Sequence, residues 1–120
     1  MLNGFDKETA PLTDYEERTL LPVMVRSLAV KRGRTSAVTS TYICDRLKAK
    51  GYDINGARVR KLINHIRMKG LVPRLIATSD GYYIATDNRE LADYIDSLRG
   101  REAAIRAVRE AMERQSTTLL

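Results

Sequence analysis

The strongest constraint on the fold is a change of apolar period at Gly70. Before it, Val59, Leu62, Ile63 and Ile66 recur at i, i+3, i+4 and i+7, the spacing of one buried helix face. After it, residues 72–78 and 82–85 are rich in β-branched and aromatic side chains. They flank Ser79-Asp80-Gly81, the signature of a hairpin closed by an Asp-Gly turn. A short chain that passes from helical to strand spacing in this way is α+β, mostly α.

The other elements follow from stop and start signals. Thr13 and Glu16 form a Thr-x-x-Glu capping box, in which each side chain satisfies a backbone donor of the other residue. The helix it opens carries Leu20, Leu21, Met24, Val25, Leu28 and Ala29 at helical spacing, and Pro22 within it predicts a kink or break. Residues 31–36 read as a basic loop broken by Gly33. A second helix begins at Thr39 or Ser40, runs to about Lys50 and buries Ile43, Cys44 and Leu47, with Gly51 as its stop. Asn55 caps a third helix, Gly56 to Lys69. Pro73 sets the start of the first strand at a sheet edge. Asp87 and Glu90 open a further helix through Leu98, Gly100 interrupts or ends it, and residues 101–115 are helical again. The expected organisation is a flexible arm over 1–12, one domain over 13–86, a helical extension over 87–115 and a frayed tail over 116–120.

Charge is distributed unevenly along this frame. The whole chain carries +6, yet residues 21–79 alone carry +11, between flanks of −3 and −2. A basic block between acidic flanks is a footprint suited to a polyanion. It coincides with the third helix, whose face opposite the apolar stripe reads Ala57, Arg60, Lys61, Asn64 and Met68, with Arg58, His65 and Arg67 on the flanks. That face has no carboxylate. A solvated helix usually mixes signs, because Glu–Lys pairs stabilise it. Arg and Lys can donate to guanine edges or phosphates, and Asn can pair with adenine through two hydrogen bonds. Arg60, Lys61 and Asn64 are therefore candidate base contacts. Arg58, Arg67, Arg32, Arg34 and Arg74 are candidate phosphate contacts, and Ala57 is small enough to allow close approach.

Residues 40–85 resemble the winged helix-turn-helix of bacterial regulators of the biotin-repressor type. They resemble more closely the small winged-helix proteins of phages and prophages. The resemblance is carried by Ile43-Cys44-Asp45-Arg46-Leu47, Gly56-Ala57-Arg58-Val59-Arg60-Lys61-Leu62-Ile63, Gly70-Leu71-Val72-Pro73 and Gly81-Tyr82-Tyr83-Ile84-Ala85. It implies three helices with a β-hairpin wing, in which Tyr82 and Ile84 point inward and Tyr83 outward, followed here by the helical extension. It also implies binding of double-stranded DNA as a regulator or replication accessory. Winged helices serve as protein-docking modules too, so an adaptor that does not bind DNA is the alternative. At the wing, Arg74 stands where the family has an aliphatic residue, which signals a shifted strand register.

Enzyme chemistry finds little purchase. One histidine, His65, and one cysteine, Cys44, give neither zinc-ligand spacing nor a nucleophile set, so no metal, cofactor or catalytic residue is expected. A single cysteine excludes an intrachain disulfide and favours a cytoplasmic setting. The longest apolar run, Leu20 to Val25, is too short to span a bilayer, and the N-terminus has no signal-peptide pattern. In the extension, Leu91, Tyr94, Leu98, Ile105, Val108 and Met112 lie near a/d spacing, with Arg101 breaking the stripe. That pattern fits a homodimer through the C-terminal helices and fits equally a segment folded back over the domain's own core.

Overall fold

The structure, a computed structural model, describes residues 9–116. Most of the arm expected over 1–12 and the end of the tail expected over 116–120 lie outside the described residues. The chain is α+β and mostly helical, with one two-stranded antiparallel sheet. It divides into two compact units, with the boundary between Thr86 and Asp87.

The first unit opens on the capping box. The Thr13 amide donates to Glu16 Oε1 at 2.8 Å, and the Glu16 amide donates to Thr13 Oγ1 at 3.1 Å. A π-helical turn, Glu16–Leu20, leads directly into helix α1, Leu21–Leu28. Pro22 therefore neither breaks nor ends the helix. Leu20 and Leu21 before it are already helical, so Pro22 sits inside a continuous helix, and the π-helical turn ahead of it is the local distortion that accommodates a residue with no N–H.

Helix α2, Ser40–Ala49, starts at Thr39, whose Oγ1 accepts from the Tyr42 amide at 3.1 Å. Helix α3, Gly56–Lys69, starts at Asn55, whose Oδ1 accepts from the Arg58 amide at 3.0 Å. It ends at Gly70 in left-handed geometry (φ 66°), with the Leu71 amide donating back to the Ile66 carbonyl at 3.0 Å. Both α1 and α2 pack on α3. The core between them holds Leu20, Met24, Leu28, Ile43, Cys44, Leu47, Val59, Leu62, Ile63 and Ile66, all buried. The inner faces expected for α2 and α3 are thus the buried ones.

Strand β1, Leu75–Thr78, pairs with β2, Gly81–Ile84, in the register Leu75–Ile84, Ile76–Tyr83, Ala77–Tyr82 and Thr78–Gly81. The strand starts later than the 72–78 expected, because Arg74 takes a left-handed conformation (φ 62°) and turns the chain before pairing begins. Leu75 and Ile84 join the helical core, and half-buried Tyr82 packs on it. Ile76 and Tyr83 share the opposite sheet face and are also buried. Tyr83 thus points away from the helical core, as expected, but the face it lies on is covered and it is 0% exposed.

The basic loop is more ordered than its composition suggests. It contains a single 3-10 turn, Arg34–Ser36, and lies along the second edge of β2. The Gly33 amide donates to the Ile84 carbonyl and the Ile84 amide to the Lys31 carbonyl, while Val38 and Tyr82 exchange both of their backbone hydrogen bonds. Gly81 makes this approach possible. A Cβ there would stand 2.5 Å from the Val38 carbonyl oxygen, and its φ of 119° is one that side chains disfavour.

The second unit is one helix, α4, Asn88–Ser116. The Asp87 carboxylate accepts from the Glu90 amide at 2.8 Å, the expected cap. Gly100 does not interrupt the helix. One glycine costs about 1 kcal/mol relative to alanine, and the Ala, Arg, Glu and Leu residues around it favour the helix strongly enough to carry it through.

Candidate nucleic-acid interface

The candidate site is the solvent side of α3. Arg60, Asn64 and Met68 follow one another at i, i+4 and i+8 and are all exposed. Lys61, His65 and Arg67 are half-buried along the margins of this stripe. The guanidinium of Arg60 lies back along the helix, so that a Cβ on Gly56 would meet its NH1 at 3.5 Å. Cationic donors therefore reach the first turn of α3, where unpaired backbone N–H groups already favour an anion. The sequence from Ile54 to Ser79 contains no aspartate or glutamate, so no acidic neighbour along the chain offsets this charge.

Two of the expectations for α3 are corrected. Ala57 lies on the buried side, at 8% exposure, and offers no surface for close approach. Arg58 is an internal structural residue, not a phosphate contact. Its Nε donates to Glu16 Oε2 at 2.7 Å and its NH2 to Glu16 Oε1 at 2.6 Å, a fork-to-fork pair. Its NH1 and NH2 also donate to the Ala10 and Pro11 carbonyls, each at 2.9 Å. The Arg58 side chain is only 12% exposed and that of Glu16 only 6%. Hydrogen bonding from Arg58 holds the Glu16 carboxyl below its ordinary pKa despite burial, and the same contact raises the Arg58 guanidinium. Nearby, the Asp53 amide donates to the Tyr15 hydroxyl at 3.1 Å. The start of α3 is thereby clamped to the segment that precedes α1.

The remaining cations lie on other elements. Arg32 is exposed on the segment bridged to β2, and Arg34 extends to Asp80 at the hairpin tip, 3.6 Å away. Both members of that pair are more than half exposed, so it holds Arg34 only weakly. It also draws Asp80, the one acid of the hairpin, toward a cation of the loop. Arg74 is exposed at the left-handed turn before β1. Sequence reading missed Glu16 as the partner of Arg58. The cap motif identified Glu16, but nothing local indicates that a capping acid also receives an arginine 42 residues later.

Cys44 is buried in the core, and no group of three His, Cys, Asp or Glu side chains among the described residues could hold a metal ion. Among the described residues no helix is long and apolar enough to cross a membrane. Comparison with family models, with curated proteins and with solved structures found no match.

Proposed function

We propose that the chain is a DNA-binding protein of winged helix-turn-helix type, in which α3 enters the major groove of double-stranded DNA. Arg60, Lys61 and Asn64 contact base edges. Arg67, Arg32, Arg34 and Arg74 contact phosphates, with the hairpin as the wing. Arg58 is left out of this set because Glu16 already occupies it. The role is that of a regulator or replication accessory, and no chemical step is performed. The observation that carries the reading is the outward face of α3, with exposed Arg60 and Asn64, half-buried Lys61 and Arg67, and no acidic residue between Ile54 and Ser79.

The test is duplex binding measured against salt. Four phosphate contacts predict a log–log slope of about −4. A flat salt response, or no binding to any duplex at low salt, overturns the proposal.

A second reading is a protein-interaction adaptor that does not use DNA. It draws on Met68, 77% exposed on the same stripe, and Leu71, 42% exposed just beyond the helix. Loss of a partner protein on Met68→Ala, with duplex affinity absent from the start, favours that reading.

A further inference from the structure

The second half of α4 bears apolar side chains that its own unit leaves in solvent. Ile105 is 70% exposed, Val108 62% and Met112 53%, and every residue from Asp96 to Glu110 is exposed. Helices draw most of their stability from packing an amphipathic face. Because α4 is continuous through Gly100, one heptad frame runs its whole length. Leu91, Leu98, Ile105 and Met112 fall at a, and Tyr94, Arg101, Val108 and Gln115 at d. Arg101 is turned back along its own helix, with its guanidinium 6.0 Å from the centre of the Tyr94 ring and NH2 donating to Ser97 Oγ at 3.2 Å.

We infer that this face pairs with a second copy of the chain as an antiparallel coiled coil. The flanking residues argue for both the partner and the direction. In an antiparallel pair, a faces d, e faces e and g faces g. In the register that sets Ile105 against Val108 of the second copy, Glu102 at e faces Arg109 at e, and the reverse pair repeats it. On the other flank Ala104 and Ala111 at g face each other, small enough for close approach. A parallel pair brings g opposite the next e instead, which sets Glu102 against Ser97 and Arg109 against Ala104, with no opposite charge. Arg109 already touches Glu113 of its own chain, an exposed i, i+4 contact that leaves room for a second carboxylate. At 1.5 Å per residue, the two copies of Asn88 then stand about 55 Å apart.

The experiment is the mass of the full chain in solution by light scattering and sedimentation at 10–200 μM, with circular dichroism as a control on folding. The wild-type chain is expected to be dimeric. Ile105→Asp with Val108→Asp should return it to a folded monomer, since both residues are exposed in the single chain. Glu102→Arg alone and Arg109→Glu alone should each weaken dimerisation at least tenfold, and the double reversal should restore it. That restoration is not intrahelical, because each reversal keeps its own like-charge clash, with Arg106 or with Glu113. A monomer at 200 μM, a dimer indifferent to the Ile105 and Val108 changes, or a double reversal that fails to recover each overturns the inference.

Discussion

Arg58 separates a structural role from a binding role, and Arg58→Ala tests which one it plays. Removing the guanidinium deletes two hydrogen bonds to Glu16 and two to the Ala10 and Pro11 carbonyls. It also leaves a carboxylate with 6% side-chain exposure and no counter-charge at that contact. Breaking a buried pair on one side costs roughly 3–5 kcal/mol. With the arginine itself 12% exposed, water can reach part of the site, so we expect about 3 kcal/mol, the lower end. For a urea slope near 1 kcal/mol/M that shifts the unfolding midpoint by roughly 3 M. Arg60→Ala, an exposed control on the same helix, should stay within about 0.5 kcal/mol of wild type. Duplex affinity should show the opposite order once the folded fraction is matched, with Arg60→Ala the more damaging. If Arg58→Ala leaves the midpoint unmoved and abolishes duplex binding, the clamp is not a stability element and the reasoning fails.

Other expectations are more compact. The Glu16 carboxyl is held below its ordinary pKa in the folded chain, so its stabilisation is complete above the unfolded value of about 4.3 and fades as pH falls through the lower folded value. Glu16→Gln should therefore flatten the acid limb of urea midpoints measured from pH 7 to pH 2.5. Gly81→Ala places a Cβ 2.5 Å from the Val38 carbonyl oxygen at a φ of 119°, and should cost about 2 kcal/mol in thermal unfolding. Gly100→Ala meets nothing within 4 Å and should increase helicity by circular dichroism, by up to about 1 kcal/mol. Asn64→Ala, exposed on α3, should weaken binding of a preferred duplex by about 1–3 kcal/mol in fluorescence anisotropy without changing thermal stability.

Local chemistry made much of the fold legible. Thr13, Thr39, Asn55 and Asp87 each accept the backbone hydrogen bond their position predicts, because a cap depends only on residues a turn away. The α3 stripe was readable for the same reason. What failed depended on distant partners or on competition between weak preferences. Tyr83 lies on the expected face of β2, opposite Tyr82 and Ile84, but its burial is not legible, because what covers the outer face of a strand is not reported by the strand's own spacing. The bridges from Arg32 and Val38 to β2 were hidden in a segment whose lysine and arginine content reads as loop. Gly100 was overweighted as a stop, since one unfavourable residue does not outweigh a long run of good helix formers. At the candidate site, the exposed positions of Arg60 and Asn64 followed from periodicity. The withdrawal of Arg58 did not, because a helix flank faces either solvent or a neighbour that sequence spacing does not reveal.

Because β2 is bonded along both margins, the hairpin and residues 31–38 form one plate and cannot slide apart without breaking the Lys31, Gly33 and Val38 bonds together. Arg32 and Arg34 ride on that plate. An anion that seizes Arg32 would damp the motion of the hairpin tip through the backbone, with no contact to the tip itself, whereas one that takes Arg34 competes with Asp80 at the tip. The amides of Val38, Tyr82 and Ile84 should accordingly exchange with solvent as a single cooperative set and slow together when the plate is loaded.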